Sequence, residues 1–108
     1  VFTLCERLQH NLHNEALYNP EYGIKVQANP VAKKARSILI NGFESLKEKG
    51  AEAIILGCTE IPIGIPERKI DNIFCIDTSL ILARALINEF RPEKLIPWSW
   101  NKLTEKSP

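Results

Sequence analysis

The most constraining feature of the chain is a four-residue apolar run, Ala53-Ile54-Ile55-Leu56, set between Gly50 and Gly57. A run this short, with no polar residue alternating through it, predicts a strand covered on both faces, as in a parallel sheet sandwiched by helices. The segment before it reads as a helix. Asn29-Pro30 offers an N-cap followed by proline at the first helical position, and Gly50 offers a left-handed cap after Lys49. Between them Ala32, Ala35, Leu39, Gly42, Phe43 and Leu46, widened by Ile38, recur at helical spacing as an inner face. Lys33, Lys34, Arg36, Lys47 and Glu48 make the solvated outer face, and no aromatic residue interleaves the first three as a nucleic-acid patch would require.

The same alternation continues on both sides. Residues 1–18 predict a helix with a stripe of Leu4, Cys5, Leu8, Leu12 and Ala16, stopped at Asn19-Pro20. Gly23-Ile24-Lys25-Val26 is too brief to assign, and residues 61–71 read as a loop or short turn. Ile73-Phe74-Cys75-Ile76 predicts a second buried strand. Asp77-Thr78 then caps a helix from Ser79 to Phe90 that is apolar on most sides, which predicts enclosure by other elements. Helix, strand, loop, strand, helix is the order of an α/β protein, and we expect a three-layer sandwich with a mostly parallel sheet. Residues 1–90 form this unit and 91–108 a tail, in which Trp98 and Trp100 pack onto a neighbouring domain or fray. Two or three strands make a thin sheet. With no methionine and an opening of Val1-Phe2-Thr3, the expectation is a piece of a larger, two-domain protein.

Composition excludes several classes. Fourteen basic residues against 13 acidic ones, a net charge of +1, leave no footprint for nucleic acid or an anionic membrane surface. No apolar run approaches the ~18 residues of a membrane span. Three cysteines without a CxxC argue against a disulfide framework or zinc ribbon, and a reducing cytoplasm is the expected setting. His10 and His13, with Glu6 a turn earlier, could face one metal, but no further ligand stands nearby and surface histidines are the simpler reading. No metal and no cofactor are expected.

In an open parallel sheet, ligands bind beyond the carboxyl ends of the strands. Gly57-Cys58-Thr59-Glu60 occupies such an end. A small residue there allows close approach to the backbone, and the next three residues offer a thiol, a hydroxyl and a carboxylate. If the following loop opens a helical turn, its amides would lower the thiol pKa and cradle an anion. These residues alone allow a redox sensor, a nucleophile or a proton-transfer thiol. Thr59 and Glu60 equally suit an ordinary helix cap with an acidic first turn, and Lys25 suits a solvated charge.

The run Gly50-Ala51-Glu52-Ala53-Ile54-Ile55-Leu56-Gly57-Cys58-Thr59-Glu60-Ile61-Pro62 closely resembles the signature around the second catalytic cysteine of the aspartate/glutamate racemase family. Ile76-Asp77-Thr78 with Leu82-Ala83-Arg84-Ala85-Leu86 looks like that family's closing strand and helix, and Gly23-Ile24-Lys25 is similar to its segment bearing a substrate-contacting lysine. The resemblance covers roughly residues 20–90. It implies a cofactor-independent, two-domain racemase acting on a small acidic amino acid, aspartate or possibly glutamate, and forming a homodimer when full length. Cys58 would be catalytic, with Thr59, Glu60 and Lys25 binding substrate. The glutamic acid at position 60, where related racemases place histidine, puts the chain on the aspartate-like side. The family's first cysteine lies in a Cys-Asn-Thr-like stretch that this chain lacks. Cys5 and Cys75 read as small buried hydrophobes, so the isolated 108 residues are expected to be inactive as a racemase. The alternatives are a hydantoin racemase, maleate isomerase or decarboxylase of the same superfamily, or a non-catalytic remnant that binds a dicarboxylate.

Overall fold

A computed structural model describes residues 1–100. Helix α1 (Glu6–Asn11) runs on into π-helical turns over Leu12–Leu17, followed by helix α2 (Lys33–Glu48) and strand β1 (Ala53–Leu56). Then come the one-turn helix α3 (Ile61–Gly64), strands β2 (Lys69–Ile70) and β3 (Ile73–Asp77), helix α4 (Thr78–Phe90) and a 3₁₀ turn at Pro92–Lys94. The fold is mixed α/β with a three-stranded sheet in the order β1-β3-β2. Strands β1 and β3 pair in parallel, with Ala53 opposite Phe74 and Leu56 opposite Asp77, while β2 pairs antiparallel to β3.

The core lies between α2 and one face of this sheet. Ala35, Leu39, Gly42 and Phe43 form the buried face of α2, as their spacing predicts. They meet Ile54 and Leu56 of β1, Ile73 and Cys75 of β3, and Ile24 and Ile65 from the connecting turns. Leu39 and Ile24 are the largest side chains fully withdrawn from water, each contributing about 1.5–3 kcal/mol through burial. The expected cover on both faces of β1 is not found. Its burial alternates, and Ile55 is 67% exposed, because α2 covers only the side to which Ile54 and Leu56 point.

Helix α4 differs from expectation for the same reason. It contains no buried residue, and Leu82, Leu86 and Phe90 are 62%, 52% and 74% exposed. Its start follows the sequence reading: Asp77 accepts hydrogen bonds from the amides of Ser79 and Leu80 at 3.1 and 3.2 Å. Gly50 takes φ +96° after the C-terminus of α2, as predicted. The start of α2 is a correction. The helix begins at Lys33 after an extended Ala32, so Asn29 is not its N-cap and Pro30 not its first helical residue. Ala28 and Val31 instead bridge across a tight turn.

Strand β2 was hidden inside the segment read as a loop. Asp71 and Asn72 both take positive φ, 51° and 65°, the paired left-handed geometry of a two-residue hairpin turn, and both types tolerate it. Arg36 fastens the preceding segment to α2, donating to Gly64 O at 2.9 Å and to both carboxylate oxygens of Glu67 at 3.0 and 2.7 Å. Within the described part of the tail, both tryptophans pack against this chain. The Trp98 ring lies 3.9 Å from the Arg68 guanidinium and 5.1 Å from that of Arg84, and Trp100 packs at 4.7 Å on Phe74. Residues 101–108 of the expected tail lie outside the described residues.

One close approach places the segment that carries Lys25. The amides of Ile24 and Lys25 donate to Ala16 O and Leu17 O at 2.8 and 3.1 Å. Asn19 Oδ1 receives the amides of Glu21 and Tyr22 at 2.8 and 3.2 Å. A Cβ on Gly23 would sit 2.7 Å from Asn19 N, Asn19 O and Leu17 O, all backbone atoms, of which Leu17 O is held by the Lys25 amide and Asn19 O by the amide of Gly23 itself. Gly23→Ala is therefore expected to lower stability by about 1–3 kcal/mol, measured as a shift of the urea midpoint. An unchanged midpoint would show that this turn does not hold its docked geometry.

Candidate active site

Strand β1 delivers Gly57-Cys58-Thr59-Glu60 to the carboxyl end of the sheet, and the Gly23 turn delivers Lys25 to the same place. Glu60 joins them. Its Oε2 accepts from Lys25 Nζ at 3.0 Å, across 35 residues of sequence, and its Oε1 accepts from Cys58 Sγ at 3.0 Å and Thr59 Oγ1 at 3.2 Å. All four residues singled out in the sequence thus fall in one cluster. Lys25 and Thr59 are exposed, and Cys58 and Glu60 are half-buried. The Lys25 ammonium also lies 5.1 Å from the Tyr18 ring centroid, a contact that sequence spacing gave no means of seeing.

Three donors on one carboxylate have a clear electrostatic consequence. The Cys58 hydrogen bond first, then those of Lys25 and Thr59, hold the Glu60 carboxyl down at about 2, against burial acting the other way. Lys25 is pushed up, chiefly by its hydrogen bond to Glu60. Glu60 is therefore an ionised acceptor across the neutral range. In the Cys58 contact the sulfur donates to the carboxylate.

The expected helical turn, α3, follows Cys58. Its Ile61 amide donates to Cys58 O at 3.2 Å and its Ile63 amide to Glu60 O at 3.0 Å. Pro62 between them has no N–H. The group beside the sulfur is the carboxylate of Glu60. A cavity of about 380 Å³ opens against Gly57 and Cys58, with Leu39, Phe43 and Leu46 of α2 in its wall. Cys58 is thus bordered by a carboxylate and a crevice.

The other two thiols divide. Cys75 is buried, as expected, and burial raises its pKa to about 11. Cys5 is a correction. It is exposed and precedes α1 in an extended conformation, because the helix starts at Glu6 and leaves Cys5 off the apolar stripe. The Leu8 backbone N–H faces the thiol and lowers its pKa without completing a capping hydrogen bond. His10 and His13 both lie within hydrogen-bonding distance of Asn14. Among the described residues no three His, Cys, Asp or Glu side chains gather as a metal site, and no helix is long and apolar enough to cross a membrane.

The chain matches no protein-family model, no curated protein and no solved structure.

Two measurements check this geometry. With the folded Glu60 carboxyl at about 2 and its ordinary value at 4.5, its contribution is complete above pH 4.5 and is lost as pH falls from there towards 2. Glu60→Gln should flatten the stability curve over that window relative to the parent. Parallel acid limbs would mean that the three donors do not converge on Glu60. Thiol modification at pH 8 should find Cys5 fastest, Cys58 slower and Cys75 unreactive until the chain unfolds. A Cys75 that reacts in the native protein would refute its burial.

Proposed function

We propose that the cluster is one half of a proton-transfer site acting on the α-carbon of a small acidic amino acid, with aspartate the leading substrate. In this reading the chain is the carboxyl-terminal part of a two-domain, three-layer α/β racemase that uses no cofactor. The supporting observation is that Lys25, Cys58 and Thr59 converge on the Glu60 carboxylate at the carboxyl end of β1, the place where an open α/β sheet presents its ligands.

Each residue then has a task. The α-hydrogen of an amino acid is a very weak acid, so removal needs a base on one face and delivery an acid on the other. Cys58 carries its proton in the resting arrangement and is the acid. It gives hydrogen to the planar carbanion and becomes a thiolate, which takes hydrogen back in the reverse direction. The opposite thiol belongs to a part of the protein outside this chain. Lys25, a compact ammonium, and the Thr59 hydroxyl meet the substrate carboxylate and stabilise charge spread into it. Glu60 positions Cys58, Thr59 and Lys25 and yields Lys25 to the incoming carboxylate.

In its thiolate form a single cysteine removes the α-hydrogen on one face, exchanges that hydrogen for solvent deuterium as the thiol, and returns deuterium to the same face of the carbanion without inverting the centre. The isolated chain in D₂O is therefore expected to place deuterium at the α-position of one aspartate enantiomer while leaving its configuration intact. Cys58→Ser should slow that exchange at least ~100-fold. Absence of exchange, or exchange indifferent to Cys58→Ser, would overturn the reading. Inversion by the isolated chain would overturn the division of labour between two halves.

A further inference from the structure

We propose that the cavity beneath β1 is a binding chamber for a compact, uncharged, apolar molecule of the single-ring or branched-alkyl type, a role distinct from the carboxylate chemistry at Glu60. Its volume is about 380 Å³. The space opens to solvent at the exposed Phe2, Thr3 and Gln9 of its wall, and an engineered, fully enclosed apolar cavity of about 150 Å³ already takes up benzene. The space here lies within the range of about 300–1,000 Å³ found for small-molecule pockets.

The wall decides the ligand class. Leu12 comes from the amino-terminal segment, Leu39, Phe43 and Leu46 from α2, and Ile54 and Leu56 from the inner face of β1. Thr3, Gln9 and His13 supply the polar side chains of the wall, the rest is predominantly apolar, and no Asp, Glu, Lys or Arg side chain lines the space, so a charged ligand would find no carboxylate, ammonium or guanidinium to replace its hydration. The chamber is also too small for an extended peptide, and one ring with short substituents matches both its size and its surface.

Cys58 borders the chamber and supplies a built-in reporter. In Cys5→Ser, with Cys75 buried, Cys58 is the one cysteine of the three open to a disulfide reagent. Toluene and indole are the probes. Each should slow modification of Cys58 saturably, by about tenfold at ten times its Kd, and raise the thermal midpoint along the same binding curve. Nuclear Overhauser contacts should run from the toluene methyl to Leu39 and Leu46. Gly42→Leu begins its new side chain 3.3 Å from Leu4 Cδ1 and 3.7 Å from Leu12 Cδ1. It should fill the chamber and abolish protection while Cys58 stays reactive, and Leu46→Phe is a second filling variant.

The proposal is overturned if neither probe slows Cys58 or contacts Leu39, or if the filling variants are protected as well as the parent. Protection that appears without a probe and grows with protein concentration would also overturn it, by assigning the space to a second copy of the chain. Aspartate is not among the probes, so the outcome is read separately from that of the exchange experiment.

Discussion

One helix supplies the surface on which the rest of the molecule is assembled. The buried stripe of α2, from Ala35 to Phe43, meets β1, β3, the Gly23 turn and the end of α3. The elements that contribute buried apolar side chains do so by reaching it. The sheet consequently has one dry face and one open face, and Ile55 and the apolar residues of α4 stand on the uncovered side of that bargain. Hydrophobic burial is roughly proportional to the area removed from water, so a helix that buries none of its residues takes little stabilisation from the core. Capping at Asp77 and the clasp of Arg84 on Trp98 hold α4 in place instead.

The site depends on that core through Ile24. This side chain is 2% exposed, and its burial next to Leu39 fixes the backbone from which Lys25 projects. The ammonium then reaches Glu60 without any direct covalent neighbour to guide it. A surface ion pair of this type contributes little to stability. Its importance is electrostatic and positional: it keeps Glu60 ionised and oriented so that one oxygen is free to take both the thiol and the hydroxyl.

Much of this was legible from residue order. Helical spacing identified the buried face of α2, the continuous apolar runs located β1 and β3, and Asp77 announced the cap of α4. The Gly-Cys-Thr-Glu motif named three members of the cluster, and the Gly-Ile-Lys segment the fourth. What sequence could not supply was anything dependent on which faces find partners. An uninterrupted run such as Ala53–Leu56 has the same appearance whether one side or two are covered, so Ile55 and α4 were misjudged together. Cys5 fell on the predicted stripe, but a helix starting one residue later turns it outward. The hairpin at Asp71-Asn72 carried a readable signal, two adjacent residues tolerant of left-handed geometry, masked by the shortness of β2.

The parallel register has a mechanical corollary. Leu56 lies opposite Asp77, so the residue that launches the Gly57 loop and the residue that launches α4 are neighbours across a single pair of strands. Asp77 is simultaneously the last residue of β3 and the clamp on the first amides of α4. No flexible joint separates the two exits. The start of α4 and Leu56, two residues before the sulfur, are thus tied through the two side-chain bonds of Asp77 and one rung of the ladder.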